Sequence, residues 1–223
     1  MLLIGRGYFV YNFIGFRRTC MIRRRLSFFS ILLLFVILCI YAIIGVKGDA
    51  QVTITIDSSN LDKTWKEFVA NPGKETALKV YGLLPARKGS RTVQVQEEVR
   101  EMIFNTLHSL ESRIYRGEED SLKVAFRLFT IADSKMETSL VKIIGYLLRY
   151  DTRLFLKELQ EHEHLVPNVD LLVCSFQLSS PNDTARQKLE KNIRLKALSY
   201  IEDKELKAIK KKCIKILNKL KID

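Results

Sequence analysis

The stretch KMETSLVKIIGYLLR, residues 135–149, decides the fold class. Its apolar residues Leu140, Val141, Ile143, Ile144, Leu147 and Leu148 recur at steps of three and four, the period of a helix face. Ser134 followed by Glu137 reads as a capping box that opens this helix. On its C-terminal side, Asp151 or Thr152 caps a short helix through about His162, carrying Leu154, Phe155, Leu156 and Leu159. On its N-terminal side, Glu118–Ala132 is apolar nearly all round in its second half (Val124, Ala125, Phe126, Leu128, Phe129, Ile131). That pattern predicts a central, buried helix.

The same period continues in both directions. Ser59 and Asp62 predict a capped helix to about Ala70, stopped by Asn71-Pro72-Gly73. A second helix runs over Lys74–Leu84 and ends at Pro85. One long helix is predicted over Thr92–Arg116, with Val99, Ile103, Leu107, Leu110 and Ile114 as its stripe and Gly117 just past its end. Pro167–Leu178 and a helix from Asn182 or Asp183 to Ile201 follow. The last helix, Lys204–Ile222, has the seam Leu206, Ile209, Cys213, Ile216, Leu220 and eight lysines on its other faces. Gln51–Asp57 alternates like a strand, but a single short strand has no evident partner. It reads as an extended linker lying on the domain. The reading is an all-α fold of antiparallel helix pairs, 59–84, 92–132, 135–162 and 168–201, closed by 204–222. A HEAT-like α-solenoid and a compact orthogonal helical bundle both fit.

The stretch Leu128–Leu159 pivots at Tyr150-Asp151 and continues as Leu154-Phe155-Leu156-x-x-Leu159. It resembles uncharacterised bacterial exported proteins with HEAT-like helices, over about a third of the exported part. The resemblance implies a bacterial envelope protein and carries no catalytic residues with it.

Residues 26–46, from Leu26 to Val46, form an uncharged apolar run that follows Arg23-Arg24-Arg25. A helix of that length matches a hydrocarbon core of about 30 Å. All six arginines before it lie between Arg6 and Arg25, so residues 1–25 read as a basic cytoplasmic n-region. Residues 47–58 are a linker and 59–223 an extracytoplasmic helical domain. Two fates fit the leader. Cleavage near Ala50, where Gly45-Val-Lys-Gly-Asp-Ala50 offers small residues, yields a periplasmic or secreted protein. An uncleaved run anchors the chain in the inner membrane with 47–223 outside. Starting at Met21 leaves a conventional leader, so residues 1–20 are expected to be untranslated. Cys39 lies in mid-run after bulky Leu38, which does not match a lipoprotein site.

The formal charge of +12 is uneven. Residues 51–183 hold 17 Lys and Arg against 19 acids, whereas residues 184–223 hold 13 against five. The basicity outside the leader is thus a C-terminal stripe. An extracytoplasmic site makes nucleic acid a poor partner. Lys207, Lys210, Lys211, Lys212 and Lys215 are the candidate interaction surface, for an envelope protein or an anionic membrane surface.

Motifs for chemistry are sparse. Glu161-His162-Glu163-His164 places four ligand types in a row, but residues two apart point to different sides of a helix. Val166 stands where a His-Glu-x-x-His motif needs its second histidine. Gly73-Lys74-Glu75-Thr76 lacks the preceding glycine of a phosphate-binding loop. His108 reads as a surface residue, and Glu97, Glu98 and Glu101 as a solvated face. Cys174 and Cys213 are read either as two core thiols or as a bridge. No catalytic residue, metal or cofactor is assigned. The reading is a non-enzymatic interaction or scaffold module. The alternatives are an exported hydrolase with a site built from distant residues and an anchored protein whose basic last helix touches lipid.

Overall fold

Helical periodicity in the sequence becomes helix almost everywhere in the computed structural model, which describes residues 54–86, 93–176 and 183–222. Ten α-helices form among these residues: α1 (Ser58–Ala70), α2 (Lys74–Leu83), α3 (Glu97–Asn105), α4 (Leu107–Ile114), α5 (Glu119–Leu128), α6 (Ser134–Tyr150), α7 (Thr152–His162), α8 (Val169–Cys174), α9 (Thr184–Ser199) and α10 (Lys207–Lys219). A 3-10 turn, Glu163–Leu165, extends α7. The fold is all-α. The leader, Met21, most of the linker, the loop at 87–92 and the expected cap Asn182 lie outside the described residues. Among the described residues no helix is long and apolar enough to cross a membrane.

In α1 and α6 an aspartate caps the helix ahead of the expected serine, two residues before Ser59 and one before Ser134. Asp57 Oδ1 accepts from the Asn60 amide at 3.0 Å, and Asp133 Oδ1 from Met136 at 2.7 Å. Asp151 and Asp183 do the same for α7 and α9. A carboxylate both satisfies an orphan amide and favours the positive helix end, so it outcompetes a hydroxyl next to it. Gly117 takes φ 83° after α4, as expected of a residue that closes a helix, and Glu118 N donates to Arg113 O.

Two expectations are corrected. The long helix predicted over 92–116 is broken at Thr106, between α3 and α4. Thr106 Oγ1 donates back to Met102 O at 2.8 Å and accepts the buried Trp65 indole N–H at 2.7 Å. A hydroxyl bonding its own helix, pulled by a tryptophan from α1, bends the chain there. The segment read as an unpartnered linker does pair. Ile54–Thr55 (β1) forms a parallel ladder with Val93–Gln94 (β2), in register Ile54 to Val93. Ile56 N extends it to Gln94 O, and Ile56 is buried in the core. The periodicity of residues 51–57 was visible, but the second strand is two residues long and carries no signal of its own.

The core runs through α5 and α6. Leu122, Val124, Ala125, Phe126 and Leu128 of α5 are all fully buried, because α2, α4, α6 and α7 surround it. This agrees with the expected central helix. α6 packs against α5, α7, α8 and α9, and α10 rests on α7, α8 and α9. The approach of α8 to α6 is close: a Cβ on Gly145 would lie 2.5 Å from Leu172 O. Burying each large apolar side chain contributes about 1.5–3 kcal/mol.

Candidate functional site

The apolar seam of α10 decides which lysines are free. Ile209, Cys213, Ile216 and Leu217 turn inward. Lys207, Lys211 and Lys215 then line up at four-residue steps on the exposed side. Among the described residues none of the three forms an ion pair. Lys210 and Lys212 belong to other surroundings. Lys210 is half-buried and its Nζ donates to Ile201 O at 2.7 Å, closing the end of α9. Lys212 pairs with Glu163. The row flanks a shallow groove of about 460 Å³ lined in part by Ile201, Ile214, Lys207 and Lys211, with Glu202 and Asp203 also on its wall.

A second cluster sits on α7. Glu158 is 0 % exposed and His162 is 4 % exposed, one helical turn apart. His162 stacks on Phe126, its Nδ1 lies 3.1 Å from Glu158 O, and its Nε2 lies 3.0 Å from Tyr81 Oη. A neutral ring satisfies both contacts when Nδ1–H donates to the carbonyl and Tyr81 Oη–H donates to Nε2. The Arg127 guanidinium lies over the Tyr81 ring at 4.1 Å. Neither carboxylate oxygen of Glu158 has a hydrogen-bond partner. The closest basic atom is His162 Nδ1, 3.4 Å from Oε2. Burial pushes the Glu158 carboxyl up to about 7, against the pull of the Lys123 charge, and burial also lowers His162. Both nearby lysines are committed elsewhere. Lys123 and Lys157 hold Glu119 at 2.5 and 2.7 Å, and their hydrogen bonds bring its carboxyl down to about 2.

The row Glu161-His162-Glu163-His164 does not converge, for the reason its spacing gives. His164 Nε2 reaches Ala86 O and Glu163 meets Lys212. The ligand-type atoms that do converge are those of Glu158, Glu161 and His162, all within 4.8 Å of one another. Sequence reasoning missed Glu158. The signal was its spacing of three and four from Glu161 and His162, hidden because a glutamate at mid-helix ordinarily faces water.

A third buried charge is Arg194, 1 % exposed. Its two terminal nitrogens donate to Val173 O at 2.8 Å and Ser175 O at 2.7 Å, and its guanidinium lies 4.9 Å from the Phe176 ring centre. It closes the C-terminal end of α8. Burial still lowers its pKa to about 10. Cys174 and Cys213 are free thiols, and burial raises both, Cys213 to about 12. Thiols held that high are poor nucleophiles. His108 is exposed, as expected. Comparison with protein-family models, with curated proteins and with solved structures gave no match to this chain.

Proposed function

We propose that the chain is an exported, non-enzymatic interaction module of a bacterial cell envelope, carried across the membrane by Leu26–Val46 and engaging an acidic protein partner through Lys207, Lys211 and Lys215. The observation that carries this reading is the exposed lysine row on α10, none of whose three members is in an ion pair among the described residues. An exposed row of one sign steers partners of the opposite charge toward it. A tyrosine cluster supports a protein partner. Tyr115, Tyr146 and Tyr150 lie with ring centres 5.0 and 4.3 Å apart beside a cleft of about 440 Å³, and tyrosine is enriched where proteins meet. The packing of α5 on α7, α6 on α8 and α8 on α10 supports HEAT-like helix pairs over an orthogonal bundle.

The test is cross-linking in expressing cells, comparing the full chain with Lys207→Glu/Lys211→Glu/Lys215→Glu. The expected result is a saturable, salt-sensitive protein partner outside the cytoplasm that the charge-reversed chain loses. Equal capture by both chains would refute the surface, and a cytoplasmic location would refute export. An anionic membrane surface is the second reading, favoured by the same lysines. Lipid adducts without a protein partner would select it.

A further inference from the structure

We propose that Glu158, Glu161 and His162 form a binding site for a divalent transition-metal cation of the zinc class. The three residues occupy positions i, i+3 and i+4 of α7, and their ligand-type atoms lie within 4.8 Å of one another. That set, two carboxylates and one imidazole, is a donor set zinc accepts. Clustering alone would carry nothing, since acids on a helix commonly face water. Glu158 supplies the independent observation. It is completely buried, and both of its carboxylate oxygens lack a hydrogen-bond partner. A buried carboxylate in that state is stabilised only by a proton or a cation.

The surroundings suit a cation. Glu161 is exposed and lines a cleft of about 440 Å³, so one of the three ligands meets solvent. Five carboxylates line that cleft (Glu119, Asp151, Glu161, Asp203, Glu205) against only Arg153 and Lys157. The field there attracts positive charge. Tyr81 supplies the outer contact that a metal-bound histidine uses. With metal present, His162 takes the other tautomer: Nε2–H donates to Tyr81 Oη, and Nδ1, the nitrogen nearer Glu158 Oε2, turns its lone pair to the ion. This exchange releases the bond from Nδ1 to Glu158 O. Three protein ligands leave a fourth position for water.

The test is zinc titration of the full chain in mild detergent after treatment with chelator, read by calorimetry and by the thermal midpoint. The expected result is saturable binding to one site, with a midpoint that rises as zinc is added. Glu158→Gln and Glu161→Gln should each weaken zinc by on the order of tenfold or more, the range that even outer contacts of such sites reach. Glu161 is exposed, so its variant folds whatever happens at the buried positions. His164→Gln, a histidine outside the cluster, should bind as the wild type does. Zinc binding that survives Glu158→Gln and Glu161→Gln, or that is lost in His164→Gln, would overturn the site. So would the absence of saturable binding in the wild type.

Discussion

Arg194 and Glu158 are both sealed from solvent, yet the fold treats them oppositely. Arg194 receives two carbonyls and the Phe176 ring, and only its Nε is left without a partner. Glu158 receives none at either carboxylate oxygen. The first residue closes a helix end that would otherwise leave carbonyls orphaned. The second occupies the interior at a cost that no hydrogen bond to its carboxylate offsets among the described residues. A buried charge with partners is structural. One without them marks a place where something else binds, whether a proton or a cation.

That contrast can be broken most easily at Arg194. Arg194→Met fills similar space but strands the carbonyls of Val173 and Ser175. It should cost about 3 kcal/mol or more, a fall in midpoint of roughly 6–12 °C by thermal unfolding. A change near zero would mean that water replaces the guanidinium and that Arg194 is not structural. Gly145→Ala comes next, because its Cβ would meet Leu172 O at 2.5 Å. Forcing α6 from α8 should cost about 1–3 kcal/mol and would strain the end that Arg194 closes. Tyr81→Phe removes the hydroxyl at His162 Nε2 and should cost about 1 kcal/mol, measurable by denaturant unfolding. The smallest effect belongs to charges that are not buried at all. Reversing Lys207, Lys211 and Lys215 should change stability by less than about 0.5 kcal/mol while abolishing partner capture.

How much was legible in the sequence follows the same division. α5 and α6 were readable because their apolar residues carry the burial, and periodicity reports apolar faces directly. α9 was readable only as a helix. Its buried residues are Glu190, Arg194 and Leu198, whereas Leu189 is 58 % exposed, so hydrophobicity points to the wrong face. The lysine surface was half legible. Composition located it on the last helix, but which lysines are spent internally depends on Ile201 O and Glu163, residues that only the folded chain brings near. The break at Thr106 was hidden for a similar reason: its cause, Trp65, lies 41 residues away. Glu158 was hidden because nothing local distinguishes a buried glutamate from an exposed one.

The most direct measurement compares wild type and Glu158→Gln by thermal unfolding in chelator between pH 5 and 8. Burial holds the folded Glu158 carboxyl up to about 7, above the ordinary glutamate value of 4.5. The neutral form's contribution is therefore fully present below about 4.5 and is lost as pH rises through about 7. Lys123 and Glu119 face it from α5, and Lys157 and Glu161 from its own helix, and all four remain in both chains. His162 shifts the opposite way and is likewise retained in both. The expected result is that the wild type loses stability relative to Glu158→Gln as pH rises, so that the variant is the more stable chain at pH 8. A variant less stable than the wild type at pH 8, with a difference that does not change with pH, would show that Glu158 is a satisfied structural carboxylate and would remove the distinction from Arg194.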